Sequence, residues 1–113
     1  MHELSVATGI VEIAEKTLQQ NGMKKIHAIH IVIGELTCVD ETALRFALEP
    51  AGKGSLIEGS EIVIHKQKAI ARCEPCNKVF DPVGFVAQCP ECRGFETKIL
   101  KGRELFVKSI EAE

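Results

Sequence analysis

The sequence predicts an α+β fold, a small domain of two helices and a three-stranded sheet with a zinc ribbon inserted ahead of the last strand. Three observations carry this expectation. Four of the five cysteines form two identical brackets, Cys73-Glu74-Pro75-Cys76 and Cys89-Pro90-Glu91-Cys92, twelve residues apart. A helix-period apolar stripe near the N-terminus is followed by a β-branched run. After the second bracket the chain returns to an apolar, strand-like segment.

Taken in order, Leu4, Ala7, Val11, Ala14 and Leu18 recur at helical spacing, flanked by Val6, Ile10 and Ile13, with Glu12, Glu15, Lys16 and Gln19 opposite. Apolar residues at that period form one stripe on a helix, and Asn21-Gly22 is a suitable stop. Lys25 to Ile33 is rich in β-branched residues, ends at Gly34, and reads as a strand covered on both faces. Asp40 is placed to cap a second helix to about Leu48, which buries Val39, Ala43, Phe46 and Ala47; Pro50 disfavours helical angles at Glu49 and sets the expected end. Gly52, Gly54 and Gly59 mark a loop, Glu61–Lys66 a second strand and Glu104–Ile110 a third. The expected domains are 1–69 plus 100–113 for the helix and sheet unit, and 70–99 for the ribbon.

The chain has 113 residues, 45% of them hydrophobic and 27% charged, and a net charge of −2. A core this small leaves a thin stability margin, which a structural metal would offset. No apolar run approaches the roughly 18 residues a membrane span needs. The N-terminus lacks the pattern of a secretory signal, and an odd cysteine count without one points to reduced thiols and a cytoplasmic location. Between Ala69 and Lys98 the basic Arg72, Lys78, Arg93 and Lys98 balance Glu74, Asp81, Glu91 and Glu96. Four thiolates and one divalent ion then leave the ribbon negative. With no Trp or Tyr to stack on bases, nucleic-acid binding, the commonest alternative use of such a ribbon, is disfavoured.

Each bracket offers two thiolates from a tight turn, and two turns close a tetrahedron of sulfur at about 2.3 Å per bond. Zinc is favoured over iron on the same ligands or two disulfides, and a closed set of Cys73, Cys76, Cys89 and Cys92 is structural rather than catalytic. Asn77 and Gly94 suit a positive φ after the brackets, with Arg93 standing where glycine is commoner. Phe80, Phe85 and Val86 are expected as the apolar plug beside the ion. Cys38 reads as a small buried hydrophobe. His27 and His30, three apart on a strand, point to opposite faces and cannot grip one ion together; these two and His65 read as structural. Glu35, Asp40 and Glu41 lie near Cys38 without an evident general base, so enzymatic chemistry is not expected. His2 differs by position. The α-amine of Met1 with the backbone nitrogen and imidazole of His2 can close fused chelate rings on Ni(II) or Cu(II), with Glu3 as a fourth donor. By itself, a histidine at position two is more often just part of a solvated terminus.

Met1-His2-Glu3 ahead of a helix, Gly34-Glu35-Leu36 with Val39-Asp40, and Phe46-Ala47 with Glu49 form a combined pattern. It continues through Glu58-Gly59-Ser60-Glu61-Ile62, the two cysteine brackets and Gly102-Arg103-Glu104-Leu105. That combination resembles the HypA/HybF family of hydrogenase nickel-incorporation metallochaperones nearly end to end. The resemblance implies a non-enzymatic nickel carrier, with Ni(II) held by Met1, His2 and Glu3 in the helix and sheet domain and structural Zn(II) in the four cysteines. It also implies cooperation with a HypB-type nickel GTPase, delivery to the [NiFe]-hydrogenase large subunit and, in some members, service to urease with its accessory proteins. No nucleic-acid or membrane partner is implied, and the chain is expected as a monomer or homodimer. Asn77 and Arg93 depart from the small residues usual after the brackets, and no histidine lies between the brackets to add a nickel ligand.

Overall fold

A computed structural model describes residues 3–113. Helix α1 spans Glu3–Gln20, strand β1 Ile26–Gly34, helix α2 Glu41–Gly52 and strand β2 Glu61–Gln67. Strands β3 (Ile70–Cys73), β4 (Val79–Phe80) and β5 (Thr97–Lys101) follow, and β6 (Leu105–Ala112) ends the chain. Two three-stranded sheets result, ordered β2-β1-β6 and β4-β3-β5. The chain divides into two compact units. The first comprises Met1–Val32, Cys38–His65 and Phe106–Glu113, and the second Ile33–Thr37 with Lys66–Leu105.

In the first unit the stripe of α1 buries Ala7, Ile10, Val11, Ala14 and Leu18. Each fully buried Leu or Ile contributes roughly 1.5–3 kcal/mol relative to exposure. Leu4 and Ile13, at the margins of the stripe, stay exposed. Beyond α1, the Met23 N–H reaches back to the Leu18 carbonyl at 2.9 Å and Gly22 takes φ +65°, the left-handed helix stop expected at Asn21-Gly22. Strand β1 buries Ile29 and Ile31 on one face and Ile26 and Ala28 on the other, while His30 and Val32 are half-buried. Coverage of both faces fits its place at the centre of its sheet.

Helix α2 packs against α1. Its cap is as expected, with the Asp40 carboxylate accepting the Ala43 N–H at 2.8 Å. Two details differ from the sequence expectation. The buried side chains are Leu44 and Leu48, whereas Phe46 is 71% exposed and Ala43 and Ala47 are half-buried. Two residues on a helix advance about 200°, so burying the Leu44–Leu48 line turns Phe46 to solvent. The helix also continues through Pro50 to Gly52. Proline in a last turn costs a single backbone hydrogen bond, and Lys53 closes the end by donating its N–H to the Pro50 carbonyl at 3.3 Å.

The second unit is built on β3, which pairs antiparallel with β4 through Ala71 opposite Phe80 and with β5 through Ala71 opposite Ile99 and Cys73 opposite Thr97. Alternation along β3 buries Ala71 and Cys73. These two pack with Phe80 and Cys89, and Ala87 and Ile99 cover the cluster. Gly34 and Gly102 make the tightest backbone approach in this unit. A Cβ on Gly34 would run into the Gly102 carbonyl and come within 2.7 Å of the Glu104 nitrogen. Gly102 itself has φ +122°, and a Cβ there would lie 2.9 Å from the Ala69 Cα. Only glycine fits both places.

Candidate metal centre

The four bracket cysteines converge in the second unit, with all four Sγ atoms within 4.8 Å of one another. Cys73 reaches the cluster as the last residue of β3, and its Sγ lies 3.7 Å from that of Cys92. A regular tetrahedron with bonds of about 2.3 Å has edges of about 3.8 Å. The Cys73–Cys92 spacing matches such an edge, and the cluster as a whole suits a tetrahedral divalent ion such as zinc. Cys73 and Cys89 are buried while Cys76 and Cys92 face solvent, so one side of the cage is packed and the other wet.

The local backbone explains how the two brackets converge. Asn77 and Arg93, each directly after the second cysteine of its bracket, adopt φ +55° and +59°. Asparagine enters this region readily; arginine pays a steric penalty of about 1–2 kcal/mol. Arg93 thus takes the left-handed position expected of Gly94, and Gly94 acts differently. Its N–H points at the Cys92 sulfur at 3.4 Å, and a Cβ on it would sit 3.3 Å from that same atom. The turns are closed by Cys73 N–H to the Lys78 carbonyl at 2.8 Å and by reciprocal bonds of the second bracket, Arg93 N–H to Cys89 and Cys89 N–H to Gly94. Lys78 and Glu91 form an ion pair at 2.8 Å between the brackets.

Cys73, Cys76 and Cys89 are displaced from the ordinary thiol range. Cys89 is drawn down to about 7, foremost by the Cys92 backbone N–H aimed at its sulfur and then, against burial, by that of Glu91. Cys76 is pushed up to about 12, foremost by its contact with the Cys92 thiol and then that of Cys73. At Cys73 the Cys76 N–H pulls downward, but burial and the Cys89 and Cys92 thiols leave it raised. Oriented N–H dipoles favour the thiolate form, and the negative charge of the crowded sulfurs is what a cation would compensate.

The plug expected beside the cluster is partly different. Phe80 belongs to it, but Phe85 is 71% exposed and Val86 is exposed as well. The Val83–Val86 segment forms a turn, with Gly84 at φ +60° and the Val86 N–H on the Val83 carbonyl, which lifts both side chains outward. Ala71, Ala87 and Ile99 fill the place instead. Cys38 is also exposed, at φ +63° in the turn before the α2 cap, and is not the buried hydrophobe expected. Tight reversal before Asp40 turns its side chain outward.

Of the residues expected at the N-terminal site, Met1 and His2 lie outside the described residues. Glu3 opens α1, and its carboxylate accepts the Asp40 N–H at 3.4 Å. The sequence reading missed this contact with the α2 cap, which no local pattern encodes. It also missed that His30 lies against His65, with Nδ1 and Nε2 2.9 Å apart.

Two helices, a mixed pair of small sheets and a four-cysteine metal cage define a small zinc-ribbon protein of the α+β class. A model of the family described as hydrogenase/urease nickel incorporation metallochaperone, hypA, matches residues 1–112. The chain belongs to the HypA family. Hydrogenase maturation factor HybF of Salmonella typhimurium is 39% identical and HypA of Chlorobaculum parvum 35% identical, each over the full length of both chains. Among solved structures, the solution structure of the Ni metallochaperone HypA from Helicobacter pylori is 27% identical. It has a TM-score of 0.71 and covers 99% of this chain and 97% of that one. A second HypA solution structure gives 26% identity and a TM-score of 0.75, covering 100% of this chain and 97% of that one. The family consists of metallochaperones for hydrogenase maturation and not of enzymes. Among the described residues no helix is long and apolar enough to cross a membrane.

Proposed function

We propose that this chain carries Ni(II) on its N-terminus and hands it over during maturation of [NiFe]-hydrogenase, with Zn(II) held structurally by Cys73, Cys76, Cys89 and Cys92. Family membership over residues 1–112, on a chain that opens Met1-His2-Glu3, is the observation that supports this reading most. The α-amine of Met1, the backbone nitrogen of His2 and the His2 imidazole supply three nitrogens in fused chelate rings, a set that suits Ni(II). Glu3 contributes the fourth donor. Its carboxylate is engaged by the Asp40 N–H, and first-turn helix N–H groups have no intrahelical partner, which favours its backbone nitrogen.

A set built on one chain end is suited to release. A partner can displace its donors one at a time, which a closed cage prevents. The partners this reading implies are a HypB-type nickel GTPase that cooperates in delivery and the hydrogenase large subunit as recipient, with urease as a second client of the same chemistry. The location is cytoplasmic. Protons compete for the same atoms: a free imidazole titrates near ~6.5 and an α-amine near ~7.7–8.0. Nickel affinity accordingly falls as pH drops through that interval.

Nickel titration of the zinc-loaded chain is the test. His2→Ala, and separately an extension placed ahead of Met1, are each expected to weaken nickel binding at least about a hundredfold, since loss of a chelate ring removes more than 2.7 kcal/mol. Zinc content stays unchanged in both. Equal nickel binding by all three proteins would show that the N-terminus is not the carrier site.

A further inference from the structure

Across one face of the sheet in the first unit, a row of three side chains has no part in either metal site above. His65 on β2, His30 on the central strand β1 and Glu111 on β6 meet in sequence-distant contact. His30 Nδ1 lies 2.9 Å from His65 Nε2, and His30 Nε2 lies 2.7 Å from a Glu111 carboxylate oxygen. The His30 side chain is 23% exposed and Glu111 63% exposed, so the row opens to solvent at its edges. The two rings are near parallel, at 20° with centroids 5.2 Å apart.

From these contacts we infer a second transition-metal site, formed by His30 Nδ1 and His65 Nε2 and open to imidazole-binding divalent ions such as Ni(II). In the tautomer that donates Nε2–H to the Glu111 carboxylate, His30 presents the lone pair of Nδ1 to His65. A carboxylate on the far nitrogen of a metal-binding histidine is the usual support for such a ligand. Without an ion, the proton on His65 Nε2 fills the gap between the rings. When an ion binds, that proton moves to His65 Nδ1, so both facing nitrogens become donors with no net change in protonation. The 5.2 Å centroid separation equals the 2.9 Å N···N distance plus the two ring radii, so the facing nitrogens meet head-on; the exposed His65 ring swings back to admit an ion on the His30 Nδ1 lone pair.

Imidazole pairs suit Ni(II), Cu(II) and Zn(II), with Cu(II) bound most tightly in the first-row order. The remaining positions fall on the solvent side, open to water or to a donor from another molecule.

The site is independent of the N-terminal carrier reading, and the experiment keeps them apart. Zinc-loaded full-length chain carrying His2→Ala is titrated with Ni(II) and followed by proton NMR of the imidazole rings. Saturable change of the His30 and His65 ring signals is expected, paramagnetic broadening for a six-coordinate ion, with the His27 ring unaffected. On that background, His65→Ala and His65→Gln, both at an exposed position, lower nickel affinity at least about tenfold; Glu111→Gln lowers it about tenfold through the lost support. Zinc content and the far-UV spectrum report that each variant is folded. Nickel affinity unchanged by either His65 substitution, or nickel-induced changes centred away from His30 and His65, would overturn the inference. Failure of the carrier reading registers separately, as nickel binding in wild type that His2→Ala does not weaken.

Discussion

Cys73→Ser is expected to release the ribbon's ion and unfold the second unit while the helical unit keeps its structure. Cys73 is fully buried and lies in the small cluster with Ala71, Phe80 and Cys89, so it is both a ligand and a large part of the core around it. That core is too small to hold the unit alone. Structural zinc sites have apparent binding free energies of about 10–16 kcal/mol near neutral pH, comparable to or larger than the about 5–15 kcal/mol that holds a typical domain. Serine offers a poor ligand and leaves a buried hydroxyl among sulfurs. Metal analysis should find the ion lost, and amide spectra should collapse for Lys66–Leu105 while α1 and α2 retain theirs. Retained zinc and an intact second unit would contradict the assignment. The same chemistry gives a pH dependence. Uptake must expel protons from raised thiols such as Cys73 and Cys76, so affinity rises with pH. Cys89, drawn down to about 7, loses its proton first. Zinc release to a chelator should therefore accelerate as pH falls, and a release rate flat with pH would be inconsistent with a thiolate cage.

The second large effect comes from one methyl group. Gly34→Ala is expected to destabilise the protein by at least about 3 kcal/mol, at the upper end of overpacking costs. The added Cβ meets backbone on two sides, the Gly102 carbonyl and the Glu104 nitrogen, and backbone has no rotamer through which to yield. The hydrogen bonds from Gly34 N–H to Glu104 at 2.6 Å and from Leu36 N–H to Gly102 at 2.7 Å hold those groups in place. Gly9→Ala provides the contrast. It lies within α1 with nothing inside 4 Å of the added carbon, so the same substitution gains about 0.5–1 kcal/mol from helix propensity. Urea unfolding of the two variants should move in opposite directions. A neutral Gly34→Ala would mean that the close approach does not exist.

What could be seen in the sequence and what could not divide along physical lines. The stripe of α1 and the β-branched run of β1 were legible because period and residue type are local properties. Cysteine spacing pointed to the cage, because short turns leave few ways to bring two brackets together. The phase of α2 was misjudged since Phe46 is the most apolar-looking residue there, yet burial follows the Leu44–Leu48 line. Phe85 failed for a related reason: size suggested a plug, and the Val83–Val86 turn carried it outward. The His30–His65 contact joins residues 35 positions apart. It depends on strand order, which side-chain alternation along a single strand cannot reveal. His30 alone could be read only as facing away from His27.

The central claim is a division of labour between nitrogen donors at the chain's start and sulfur donors in the ribbon. X-ray absorption at both metal edges of the untagged chain, loaded with zinc and then with nickel, tests it most directly. Nickel in a shell of nitrogen and oxygen alone, beside zinc still in four sulfurs, is the expected result. Nickel bound to sulfur with zinc displaced would contradict the account.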